Sequence, residues 1–161
     1  MSAPRKIGKN ANVFDLLGDL DDAKEIAAEP IDPRSRSAQV AAAARSLKEP
    51  IIWIDLEMTG LDAQRDTILE IACIITDGKL NTTLEGPNIV IHHSDEVLTA
   101  MNAWCIDHHG KSGLTQRSRE SAVSLAEAEE RVLAFLTLHT KEHWAPLAGN
   151  SVHCDRQFLE V

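Results

Sequence analysis

Asp55 and Glu57 stand one residue apart at the end of an otherwise apolar run, Ile51-Ile52-Trp53-Ile54-Asp55-Leu56-Glu57. A short run rich in β-branched apolar residues forms a buried strand. Side chains alternate across a strand, so both acids leave the same face. Repulsion and burial oppose the ionisation of two carboxylates that share a small site, and they stay charged only with cations close by. Donors that are all carboxylate oxygens suit Mg²⁺ or Mn²⁺ better than zinc. A third acid, Asp155, follows Gly149-Asn150-Ser151-Val152-His153-Cys154, where the pattern turns from strand to helix. An isolated D-x-E usually lies in solvent beyond its strand. Here the acids close an apolar strand, the position at which open α/β sheets bind their ligands.

Several elements must hold these acids in place. After the strand Ile51 to Leu56 comes a turn over Thr59 to Asp66, then a second strand-like run, Thr67 to Thr76. Asp77-Gly78 reads as a two-residue hairpin turn into Lys79 to Leu84. Gly86-Pro87 breaks the pattern before Asn88 to His92 continues the sheet. Ser94 to Asp107 reads as one or two short helices. Ser124 with Glu127 is a capping box, and Leu125, Ala128, Val132, Phe135 and Leu136 repeat on one helical face, giving a helix over Leu125 to Leu138. Trp144 to Gly149 returns as a strand, and His153 to Val161 starts a helix. Strands, helix, strand and helix in that order predict an α/β layer fold with a mixed sheet flanked by helices.

Composition limits the partners. The chain has 161 residues, 43% hydrophobic, and a formal charge of −9. Residues 1 to 50 hold 8 acids and 8 bases, so the whole deficit, 17 acids against 8 bases, falls on residues 51 to 161. So acidic a body repels a long polyanion and excludes long duplex nucleic acid, while small phosphate ligands can still bind through divalent cations. Cys73, Cys105 and Cys154 are odd in number and widely spaced, which fits a reducing compartment and neither a disulfide framework nor a zinc site. No run approaches the roughly 18 apolar residues of a membrane span. The reading is intracellular and cytoplasmic, away from membranes, with a mitochondrial destination left open by Arg5, Lys6 and Lys9 but unsupported by the acids that follow. Residues 1–49 read as a tail, disordered or partly helical, with one short helix over Asn12 to Ala28.

Trp53-Ile54-Asp55-Leu56-Glu57-Met58-Thr59-Gly60-Leu61 resembles the first exonuclease motif of oligoribonucleases, DEDDh-type 3′-to-5′ exoribonucleases of the DEDD superfamily. Gly149-Asn150-Ser151 with Asp155 resembles the second. Glu85-Gly86-Pro87, Ile91-His92, Ser94-Asp95-Glu96 and Met101-Asn102-Ala103-Trp104 are similar in kind and spacing, so the likeness covers residues 51–161. It implies an RNase H-like exonuclease fold over residues 50–161. It also implies degradation of short single-stranded RNA, dinucleotides to about pentanucleotides, to nucleoside 5′-monophosphates, using two metal ions about 3.5 to 4 Å apart. Asp55, Glu57 and Asp155 would be the catalytic metal ligands, with Asp55 bridging. Leu61 would wedge between two bases, Trp104 would stack on one, Asn150 and Ser151 would contact the substrate, and His109 would cap the 5′ phosphate. Read alone, Trp104 is a core residue and His108-His109 a solvated pair.

The chain departs from the pattern in one respect. The third motif pairs a histidine with an acid five residues later, and none of His92, His93, His108, His109, His139, His143 or His153 has one there. The general base and the fourth acid are therefore not found, and the expectation is a C-terminally truncated, inactive member. The homodimer that the family implies supports a second expectation, a non-catalytic form that binds substrate or the full-length enzyme as a decoy.

Overall fold

The computed structural model describes residues 47–161. Expectations for the tail, including the helix over Asn12 to Ala28, lie outside the described residues. The packed body already includes Leu47, which is buried, and Lys48, whose carbonyl accepts the Gly78 N–H.

Three strands run in sequence: β1 (Ile51–Met58), β2 (Ile68–Thr76) and β3 (Thr83–Val90). Three helices follow, α1 (Asp95–Thr99), α2 (Ala103–Lys111) and α3 (Leu114–Glu120), and then α4 (Leu125–His139), the short strand β4 (Leu147–Ala148) and α5 (Val152–Leu159). The sheet order is β3-β2-β1-β4, with β1 and β2 antiparallel, β2 and β3 antiparallel, and β4 parallel to β1. This is the mixed sheet that the strand and helix order predicts.

Alternation along the strands divides the core between two faces. Ile54 and Leu56 of β1 lie beside Cys73 and Ile71 of β2, and Ile89 of β3 joins them under Ala128 and Val132 of α4 and Phe158 of α5. A second cluster joins Leu69 to Leu98, Met101, Cys105 and Leu114 from the α1–α3 layer. The helix predicted over Leu125 to Leu138 is α4. Ser124 caps it by accepting the Glu127 N–H at 3.2 Å, while the Glu127 carboxylate turns to Arg131 and does not close the box.

Four expectations are corrected. First, the turn after β2 is longer than two residues. Asp77 Oδ1 accepts the N–H groups of Lys79 and Asn81, the Asp77 N–H reaches the Thr82 carbonyl, and Gly78 is drawn to Lys48, so pairing resumes at Thr83. Second, Gly86-Pro87 lies inside β3. The two residues face the single Cys73 in a bulge on an edge strand, where proline's missing donor is tolerated. Third, β4 has two residues in place of six. Fourth, α3 has no counterpart in the expectations, because its sequence, Leu-Thr-Gln-Arg-Ser-Arg-Glu, has no apolar period and buries only Leu114 and Ser118.

Candidate active site

β1 carries Asp55 and Glu57 on the face opposite Ile54 and Leu56, as alternation requires. β4 pairs with β1 only at Ile52 and Trp53, after which the two chains diverge. The divergence begins at Gly149, where a Cβ would lie 2.5 Å from the Ile54 carbonyl oxygen, so only glycine allows this approach. Ser151 then takes a left-handed conformation (φ 54°) and starts α5. On its first turn Asp155 points back to β1, and its Oδ1 accepts the Leu56 N–H at 2.9 Å. That N–H lies on the strand edge that β4 no longer covers. Asp155 is 4% exposed, and through this bond an acid 99 residues away in sequence meets the end of β1.

The electrostatics of the acids reflect their crowding. Burial, with the charges of Asp55, Glu70 and Asp155, pushes the Glu57 carboxyl up to about 7, against a smaller opposing effect of Arg117. Burial also raises Asp155, partly offset by the Leu56 N–H. Glu70 lies directly opposite Glu57 on β2 and binds Arg117 of α3 at 3.2 Å. Burial raises its carboxyl as well, and Arg117 opposes the shift.

The donors fit a hard divalent cation in kind and in charge: Asp55, Glu57 and Asp155 offer only oxygens, and their mutual repulsion is what a cation would relieve. Among the described residues, however, no three His, Cys, Asp or Glu side chains converge closely enough to hold an ion as they stand. Asp155 turns one oxygen to the Leu56 N–H, and Glu57 leans to His109.

The remaining predicted residues surround the acids. Leu61, 75% exposed, stands on the loop after β1, and Trp104, 67% exposed, lies on α2 stacked on His108 with ring centroids 4.6 Å apart. Trp104 is therefore not core. His109 is not a solvated residue either. It is 2% exposed, its Nε2 lies 2.9 Å from the Met58 carbonyl, and its Nδ1 is 3.8 Å from Glu57 Oε2. Burial lowers its basicity; its Nε2–H donates to the Met58 carbonyl, and its Nδ1 faces Glu57 without a hydrogen bond. Asn150 and Ser151 are exposed at the start of α5.

Sequence reasoning missed Glu70 and Arg117. The signal for Glu70 was an acid interrupting the apolar run Ile68-Leu69-Glu70-Ile71. It placed the turn over Thr59 to Asp66 but gave no role to Asp66, which accepts the Thr59 hydroxyl at 3.1 Å and the Asp62 N–H at 3.0 Å. Beside that loop is a cavity of about 730 Å³ lined by Thr59, Asp62, Arg65, Asp66, His93 and Asn102, among others.

A family model described as exonuclease matches residues 52–161, more than half of the chain. The chain belongs to the exonuclease family. The RNase H-like mixed sheet expected from the motifs is the exonuclease fold seen here. Curated relatives of this exonuclease-family chain are similarly named. A probable oligoribonuclease of Dictyostelium discoideum is 60% identical over 109 residues, 68% of this chain and 57% of the relative. The mitochondrial oligoribonuclease of Mus musculus is 49% identical over 126 residues, 78% of this chain and 53% of the relative. The oligoribonuclease of Pseudomonas syringae pv. tomato is 55% identical over 112 residues, 70% of this chain and 63% of the relative. The chain thus spans between about half and two thirds of the length of the curated relatives it matches.

Proposed function

We propose that this exonuclease-family chain carries the substrate- and metal-binding part of a 3′-to-5′ exoribonuclease site for short oligoribonucleotides. The observation that carries the reading is the Asp155 to Leu56 bond, which brings a third acid to the strand end that bears Asp55 and Glu57. In this reading the three carboxylates hold Mg²⁺ or Mn²⁺ and close in around it. When bound, such cations neutralise phosphate charge and activate water for hydrolysis to a nucleoside 5′-monophosphate.

The chain's own residues bind and orient the RNA. Leu61 offers an apolar edge to separate two bases, and the exposed Trp104 offers a stacking face, which tolerates any base and contributes about 1 to 3 kcal/mol. Asn150 and Ser151 offer polar groups to the sugar and phosphate. For His109 the buried ring and its bond to Met58 favour support of the β1 end; contact with a 5′ phosphate requires the ring to turn outward.

A second reading has its own support. No histidine in the sequence has an acid five residues later, and His109, beside Glu57, has its Nε2 committed to Met58. The chain as it stands then binds short RNA, or a longer homologue in a dimer, without rapid turnover. Loss of a general base alone lowers a rate by about 10²- to 10⁴-fold. Among the described residues no helix is long and apolar enough to cross a membrane.

The enzyme reading and the RNA-binding form of the second reading both require divalent-dependent binding of a diribonucleotide. Fluorescence anisotropy of a labelled diribonucleotide should show binding in Mn²⁺ that disappears in excess EDTA and in Asp55→Ala. Binding that survives EDTA, or an unaffected Asp55→Ala, removes the metal site. Release of nucleoside 5′-monophosphate by the same sample separates enzyme from binder.

A further inference from the structure

We propose that Glu70 is a positioning residue that ties Arg117 away from Glu57 and so keeps the Glu57 carboxylate available to a divalent cation. This rests on the metal-site reading above and adds to it a residue outside the ligand set.

Glu70 and Glu57 are cross-strand partners on one face of the sheet. Directly opposed side chains have Cβ atoms about 4.5 to 5.5 Å apart, and like charges there destabilise the pairing. Sheet stability alone thus gives no reason for an acid at position 70. Arg117 supplies one, since its Nη2 lies 3.2 Å from Glu70 Oε2. Its approach is fixed by its helix, because Ser118 donates to the Ile91 carbonyl and Ser121 to the Val90 carbonyl, both at 2.7 Å. The nearby Arg119 is already held by Asp95 at 2.6 Å.

With Glu70 removed, the carboxylates left on the same face are Asp55 and Glu57, the cross-strand neighbour of position 70, and Arg117 already lies close enough to Glu57 to influence its charge. A half-exposed guanidinium changes partner at little cost, because such surface pairs contribute about 0 to 1 kcal/mol. Once on Glu57 it would compete with the cation for the same oxygens. Glu70 therefore acts as the alternative partner that keeps this competition from arising.

A double-mutant cycle read by Mn²⁺ titration of the 161-residue chain, using electron paramagnetic resonance of free Mn²⁺, tests the assignment. Glu70→Gln should weaken Mn²⁺ binding about fivefold, whereas in the Arg117→Gln background the same change should alter it by less than about twofold. Glu70→Asp, which keeps a partner for Arg117, should bind nearly as the parent does. Unfolding midpoints measured alongside confirm that the variants fold. An equal loss from Glu70→Gln in both backgrounds overturns the proposal, since Glu70 would then act as a ligand or a distant charge. No loss in either background overturns it too. A parent chain that binds no Mn²⁺ fails at the underlying metal reading and takes this proposal with it.

Discussion

The two helical layers on the sheet are held by different forces. On one face α4 and α5 dock through apolar contact: Ala128, Val132 and Phe158 close over Ile54, Leu56 and Cys73. On the other, α1, α2 and α3 are too short to be stable alone, and alongside a small apolar cluster they are tied to strand carbonyls by polar side chains. His93 reaches Ile68, His109 reaches Met58, Ser118 reaches Ile91 and Ser121 reaches Val90. Apolar contact is tolerant of small shifts, whereas hydrogen bonds set direction and distance. The directional layer is the one that carries Trp104, His109 and Arg117 around the acids, while the tolerant layer supplies the body. Asp155 crosses between them, since it rides on α5 of the apolar layer and bonds to the edge of β1.

Asp155 is therefore where one change should damage both regions most. Asp155→Ala removes a proposed ligand and leaves the Leu56 N–H without its acceptor. Mn²⁺ affinity should fall about a hundredfold, as loss of even an outer partner of a ligand costs about 10- to 100-fold. Stability should fall by about 1 to 3 kcal/mol for the orphaned donor. Calorimetric titration and urea unfolding check the two effects. A variant that loses stability and keeps its affinity would confine Asp155 to a structural role.

Gly86 tests the apolar side alone. A Cβ there would fall on Phe135 Cε1 and lie 2.5 Å from the Cys73 carbonyl oxygen. Gly86→Val should cost about 1 to 3 kcal/mol by overpacking α4 against β3, while Mn²⁺ affinity stays within about twofold. If affinity falls in step with stability, the two layers are not separable in the way their packing implies.

The same contrast explains what could be read before folding. α4 was legible because its burial follows the helical period through Ala128 and Val132, and the shared face of Asp55 and Glu57 follows from strand alternation. α3 was not legible, since it is held by Leu114 and by the hydroxyl of Ser118 on a carbonyl 27 residues away, and a long-range polar bond leaves no local pattern. β4 was overestimated because the run Trp144-Ala145-Pro146 that precedes it is apolar yet lies in a turn, and only Leu147 and Ala148 pair with β1 before Gly149 turns away. Glu70 was visible as an acid in an apolar run. Its pairing with Glu57 depends on the register across the loop between β1 and β2, which a turn read only as Thr59 to Asp66 does not set, so its neighbour could not be assigned. The motif likeness proposed candidate site residues but gave no sign that His109 is buried and bonded to the Met58 carbonyl.

The smallest expected effect concerns the charge that the two regions enclose. Glu57 is raised from its ordinary value of 4.5 to about 7 in the folded chain, first by burial and then by Asp55, Glu70 and Asp155. Between those values the folded chain keeps a proton that the unfolded chain has released. Its contribution to stability is complete below pH 4.5 and is lost as pH rises through 7. Glu57 is about a third exposed, so solvent screening reduces the effect. In EDTA, the parent's stability relative to Glu57→Gln should decline between about pH 4.5 and 8 as measured by urea unfolding. The comparison with Glu57→Gln isolates this residue from Asp155 and Glu70, whose carboxyls shift in the same direction. With Mn²⁺ present the decline should shrink, because the cation takes the place of the proton. If parent and variant run parallel across the whole range, Glu57 titrates as an ordinary surface acid, and the crowding that motivates a metal at this end of β1 is absent.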